Sequence, residues 1–162
     1  MPQGFGVAVA ERWLGVHVSG DGIIIVDAEV LEDGPIVIVA DESWKLENGS
    51  RPEAFKTIFK RLSDYARDKG IARAVIKESA ANARGMGLAH LQAAELRGVA
   101  ICALACTCPV EQVSKSKISK GFGKRKADEY LKDNDFWKEN LDGVAMRTGS
   151  REAALLILAT RS

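Results

Sequence analysis

Residues 72–79 read Ala72-Arg73-Ala74-Val75-Ile76-Lys77-Glu78-Ser79, and the reading of this stretch decides the fold. Val75 and Ile76 are strong strand formers, and apolar character stops at Lys77-Glu78-Ser79. The stretch is therefore a short buried strand that ends in a carboxylate. Three strands and a helix precede it, and alternating helix and strand follow. Any chemistry in this chain has Glu78 as its natural centre.

Upstream, Trp13 to Val18 has strand character and Ser19-Gly20-Asp21-Gly22 punctuates a tight turn. Ile23 to Val30 is a second strand, Glu32-Asp33-Gly34 a second turn, and Pro35 to Ala40 a third strand. Short turns make these three an antiparallel meander. Ser50-Arg51-Pro52-Glu53 has the form of a capping box with proline in the first turn. Behind it Phe55, Ile58, Phe59, Leu62, Tyr65 and Ala66 share one helical face, closed by Lys69-Gly70.

Downstream, a loop over 82–85 leads to a helix predicted from Met86 to Arg97. Gly98 is read as its stop and Val99 to Ala105 as a fifth, strongly apolar strand. Pro109 opens an irregular segment. A helix is expected over residues 124–141, with Asn134 and Asp135 as its weak point. A loop over 142–149 and a last helix capped by Ser150 complete the chain. Strands separated by helices run parallel through right-handed crossovers. The expected architecture is one α/β domain over residues 1–162, a mixed five-stranded sheet flanked by helices, with the first and fourth strands side by side.

With 162 residues, 46% hydrophobic, 28% charged and a net charge of +1, the chain builds an ordinary globular core and has no global field for nucleic acid or membrane. Its N-terminus lacks a signal-peptide pattern and no apolar run approaches the length of a membrane span, so a cytoplasmic location is expected. The three cysteines, Cys102, Cys106 and Cys108, are crowded together without a second Cys/His cluster. They are expected to be reduced thiols rather than zinc ligands.

In element order, nearly the whole chain resembles the ribonuclease H-like superfamily, and within it the RuvC-type Holliday junction resolvases. The resemblance is strongest over 72–130. Val75-Ile76-Lys77-Glu78 is followed by a glycine-containing loop and by His90-Leu-Gln-Ala-Ala-Glu-Leu-Arg-Gly-Val-Ala-Ile. The run from Pro109 to Asp128 resembles that family's Lys-rich stretch before a helix that opens Ala-Asp, and Ser150 to Ala159 resembles its last helix.

The resemblance implies phosphodiester cleavage with two divalent metals, Mg²⁺ or Mn²⁺, held by acids of strand one, strand four and the last helix. Glu78 matches the strand-four acid, with a one-residue ambiguity against Lys77. The strand-one place is held by His17. The two last-helix places fall on Ser150 and Ala153, with Glu152 between. The candidate catalytic and metal-binding set is therefore His17, Glu78 and Glu152, an arrangement that suits a transition metal better than Mg²⁺. Other carboxylates near this sheet edge are Asp21, Asp41 and Glu42. The bland alternatives are a core histidine, a solvated Glu78 and a Glu152 that merely complements a helix dipole.

From Ser114 to Lys126, six of thirteen residues are basic and none is acidic. Lys115, Lys117, Lys120, Lys124, Arg125 and Lys126 are candidate phosphate contacts, with Phe122 placed to stack on a base or wedge into a junction. Two functions follow. One is a metal-dependent endonuclease on branched or structured DNA with an altered acidic site. The other is an inactive ribonuclease H-fold protein that binds nucleic acid or serves as a scaffold. Nucleic acid, most simply DNA, is the expected partner, together with a homodimer or larger DNA-processing complex as the resemblance implies.

Overall fold

In the computed structural model, residues 9–80, 85–121 and 125–161 are described. The meander is β1 (Glu11–Val18), β2 (Gly22–Val30) and β3 (Ile36–Lys45). Helix α1 (Arg51–Asp68) follows, then β4 (Arg73–Lys77) and α2 (Leu88–Ala105). The chain continues through β5 (Val110–Val113), α3 (Lys115–Lys120), α4 (Ala127–Lys132), α5 (Asn134–Asn140), β6 (Leu141–Gly143) and α6 (Arg151–Arg161).

The sheet has six strands in the order β5-β4-β1-β2-β3-β6. Strands β1, β2 and β3 pair antiparallel, whereas β4 pairs parallel to β1 and β5 parallel to β4. The expected meander, the β1–β4 adjacency and the mixed sheet are all present. The expected fifth strand is not. Residues 99–105 continue α2, and the fifth strand is the partly polar Val110–Val113. A short apolar run fits a buried strand or a buried helix equally well. Here Gly98 is exposed on the helix surface, with open space where a Cβ would stand, so it does not stop the helix. A sixth strand, β6, is too short to read from sequence. Asp41 and Glu42 lie within β3 rather than beyond it. The helix expected over 124–141 is two short helices, divided at Asp133, whose side chain accepts from Phe136 N–H at 3.1 Å.

Alternation along the strands sorts the core into two layers. Trp13, Val26, Ile38 and Val75 face α6, whereas Leu14, Val16, Ile25, Ala74 and Ile76 face α1 and α2. Helix α2 is apolar and 18 residues long, with mean hydropathy 1.2, enough by length and composition to cross a bilayer. Here it packs Leu96, Ala100, Ala103 and Leu104 into the second layer, and Glu95 and Arg97 interrupt it. Ser50 stands at the N-cap of α1 without a capping hydrogen bond from its side chain, and Pro52 in the first turn marks the start. Gly70, at φ +64°, closes that helix as expected.

A buried polar network ties the meander to α1. The Asp27 carboxylate is fully buried and receives Arg12 through two hydrogen bonds and the Tyr65 hydroxyl at 2.7 Å. Burial and the neighbouring Asp27 push the Tyr65 hydroxyl well above its usual range.

Candidate functional site

Strand β1 carries Trp13, Gly15 and His17 toward α6. Gly15 is the point of closest approach, because a Cβ there would stand 2.1 Å from the backbone oxygen of Ala153. Only glycine lets the first turn of α6 come this near the sheet. The approach sets Glu152 opposite His17, whose Nε2 lies 3.1 Å from the Glu152 carboxylate. Two of the three candidate residues therefore meet.

The parallel register settles what stands beside His17 on this face. Gly15 pairs with Val75 and Val16 with Ile76. One step further, Lys77 follows Val75 on the α6 face, and it lines the same two cavities as His17. Glu78 is the next residue along, so alternation carries it to the α2 side, where it is exposed. The ambiguity between Lys77 and Glu78 is thus resolved on this face in favour of a cation.

His17 and Lys77 form a wall between two cavities. On the α6 side, a cavity of about 20 Å³ is bounded by Glu152, Lys115, Asp128 and the apolar Ile118, Leu131, Leu155 and Leu156, room for about one water. Its carboxylates already have basic partners, Glu152 facing His17 and Asp128 lying 3.2 Å from Lys115 Nζ. Asp128 stands in the first turn of α4 and carries no signal in the sequence beyond that of a helix start. On the α2 side, a cavity of about 300 Å³ is lined by Glu78, Ser79, His90 and Arg97 together with the first turn of α2. Burial lowers the pKa of His17; Glu152 opposes this, and Lys77 and Arg97 reinforce it.

A divalent metal does not fit this donor set. Among the described residues no three His, Cys, Asp or Glu side chains gather closely enough to hold one ion. Glu78 shares the larger cavity with His17 but does not line the smaller one with Glu152, and the carboxylates of the small cavity are already engaged by His17 and Lys115. The two last-helix positions are also engaged otherwise. Ser150 is buried and donates to Asp41 at 2.6 Å, and Ala153 lies in the core. Asp41 also takes the backbone N–H of Arg147 at 2.9 Å and its guanidinium at 2.8 Å. Burial raises the Asp41 pKa, but these hydrogen bonds outweigh it and hold the carboxyl below its usual range. Asp21 accepts from Ser19 at 2.9 Å and Glu42 from Trp44 at 3.4 Å, and neither lines the two cavities flanking His17 and Lys77.

Three cations of the basic stretch are paired with acids just outside it. Lys117 pairs with Glu111, which Arg73 also engages, and Lys115 pairs with Asp128. Arg125 lies 2.8 Å from Asp133 and stacks over Tyr130 at 4.3 Å. Lys120 and Lys126 are exposed and make no ion pair among the described residues. Phe122 and Lys124 lie outside the described residues. Trp13, Trp44 and Trp137 are buried, whereas Cys102 and Cys106 are exposed on α2 and only Cys108 is buried.

The chain matches no protein-family model, and no curated protein matches it in sequence. Solved structures do match. RuvC of T. thermophilus in complex with a Holliday junction substrate superposes with a TM-score of 0.69 at 11% identity, over 92% of this chain and 91% of that one. A further Thermus thermophilus RuvC structure gives 0.69 at 14% identity, over 91% and 92%. The yeast mitochondrial Holliday junction resolvase Ydc2 gives 0.63 at 12% identity, over 97% of this chain and 80% of that one. The fold is the ribonuclease H-like fold of RuvC-type resolvases.

Proposed function

On a fold shared with RuvC-type resolvases, we propose that this chain is a nucleic-acid-binding protein that holds branched or structured DNA without metal-dependent cleavage. The observation that carries the reading is the register of β1 and β4. It supports Lys77 as the neighbour of His17 on the α6 face, where a two-metal nuclease needs a carboxylate. The 3.1 Å contact of His17 Nε2 with the Glu152 carboxylate supports the same reading, since it occupies both groups with each other.

Junction recognition enters from the structural neighbours, one of which is by description a Holliday junction resolvase and another of which holds a Holliday junction substrate. The exposed Lys120 and Lys126 are the members of the basic stretch most available to a phosphate backbone. In this reading His17, Lys77 and Glu152 keep the pocket's shape and charge, and no bond of the substrate is broken.

Binding of a four-way DNA junction, measured in EDTA and again in Mn²⁺, tests the proposal. Equal affinity in both buffers and intact strands after prolonged incubation are expected. Strand cleavage in Mn²⁺ that disappears in Glu78→Gln would establish the endonuclease instead.

A further inference from the structure

We propose that the 300 Å³ cavity between the ends of β1 and β4 and the first turns of α2 is a metal-independent phosphate site, held by Lys77 and Arg97. The inference deepens the nucleic-acid-binding reading and rests on it only for the identity of the natural ligand, a backbone phosphate.

Lys77 and Arg97 come from different elements, twenty positions apart in sequence, and line one cavity. Neither has an acidic partner within ion-pair distance among the described residues, whereas the cations of the neighbouring stretch mostly do. Arg97 is the more telling of the two. Its Nη1 donates to the Ser79 hydroxyl, but its Nε is buried and makes no hydrogen bond. A half-buried guanidinium whose Nε has no acceptor is costly, and burial lowers its pKa accordingly. A tetrahedral oxyanion supplies the missing acceptors, and arginine is suited to bind it through two parallel N–H groups.

The other titratable groups facing the space are His17, Glu78 and His90. Counting the Glu78 carboxylate against the two cations, the cavity is formally positive. Gly20 and Ser19 form its opposite rim, and its volume admits a phosphate group where the 20 Å³ cavity does not. Low-dielectric walls focus the field of the two cations on this space. A side-chain cation pair here does what a bound metal does in a nuclease ground state, namely neutralise a phosphodiester, but it supplies no activated water.

The test is titration of inorganic phosphate into the metal-free protein in EDTA, followed by thermal shift and by the ¹H–¹⁵N signal of the Arg97 Nε–H. Saturable stabilisation that moves this signal and is lost in both Lys77→Gln and Arg97→Gln is expected. No saturable response of the wild type would overturn the site, as would a response that both variants retain. Junction DNA under the same conditions separates this inference from the functional reading. Phosphate binding without junction affinity keeps the site and removes the DNA reading. In junction binding itself, each variant is expected to lose about tenfold in affinity and to flatten the salt dependence by about one phosphate contact.

Discussion

Two sets of cations lie close together in this molecule and differ in what their charge is free to do. The stretch from Ser114 to Lys126 is dense in lysine, yet Lys115, Lys117 and Arg125 are each committed to Asp128, Glu111 or Asp133. Lys77 and Arg97 are scattered in sequence, line one cavity and carry no acidic partner within ion-pair distance among the described residues. The contrast teaches that local charge density is a poor measure of available charge. A charge-rich run on a folded surface attracts acids from adjoining turns, whereas two isolated cations brought together by a parallel strand and its crossover helix keep their field.

The sharpest way to break this comparison is to remove the unpartnered pair. Lys77→Gln combined with Arg97→Gln is expected to weaken junction binding by about 100-fold at fixed salt, read by fluorescence anisotropy, since each charge-assisted contact is worth about tenfold. Next in size is the helix–sheet contact that walls the cavity. Gly15→Ala forces a Cβ against the Ala153 carbonyl, so a loss of about 1–3 kcal/mol in urea unfolding is expected, along with separation of His17 from Glu152.

Asp41 supplies a control outside both cation sets. Its folded pKa is depressed, so the stability it contributes is present above the unfolded carboxylate value and is lost as pH falls through the folded one. Asp41→Asn is expected to cost about 1–2 kcal/mol at neutral pH, to flatten the acid limb of the stability curve, and to leave junction affinity unchanged. The smallest effect belongs to the stretch itself. Lys120→Glu with Lys126→Glu is expected to reduce affinity by about threefold, mostly through the salt-dependent component. If this pair instead exceeded the Lys77/Arg97 variant, the contrast between the two regions would be reversed.

Much of this architecture is legible in the sequence because local and global signals agree. Turn residues at 19–22 and 32–34 bound the meander, Pro52 starts α1 and Gly70 ends it, and the apolar centre of the 73–77 strand, Ala74-Val75-Ile76, needs both faces covered. The failures have physical causes. Residues 99–105 are apolar on too many sides for helical periodicity to show, and Val110–Val113 is too polar at Glu111 and Gln112 to announce a buried strand. At the site, the meeting of His17 with Glu152 follows once the fold is recognised. The choice between Lys77 and Glu78 does not, because a one-residue shift in register moves a side chain to the opposite face of the sheet. The pairing of the basic stretch was equally hidden, since Glu111 and Asp133 reach it only through turns that tertiary packing sets.

The most direct test of the central claim, that side-chain cations stand where a nuclease holds metal, is calorimetric titration of Mn²⁺ into the protein bound to a four-way junction, for the wild type and for Glu78→Gln. The account predicts no specific Mn²⁺ uptake by either protein beyond that of the free junction. Stoichiometric uptake by the wild type that vanishes in Glu78→Gln would contradict it and restore a metal-dependent site built on Glu78.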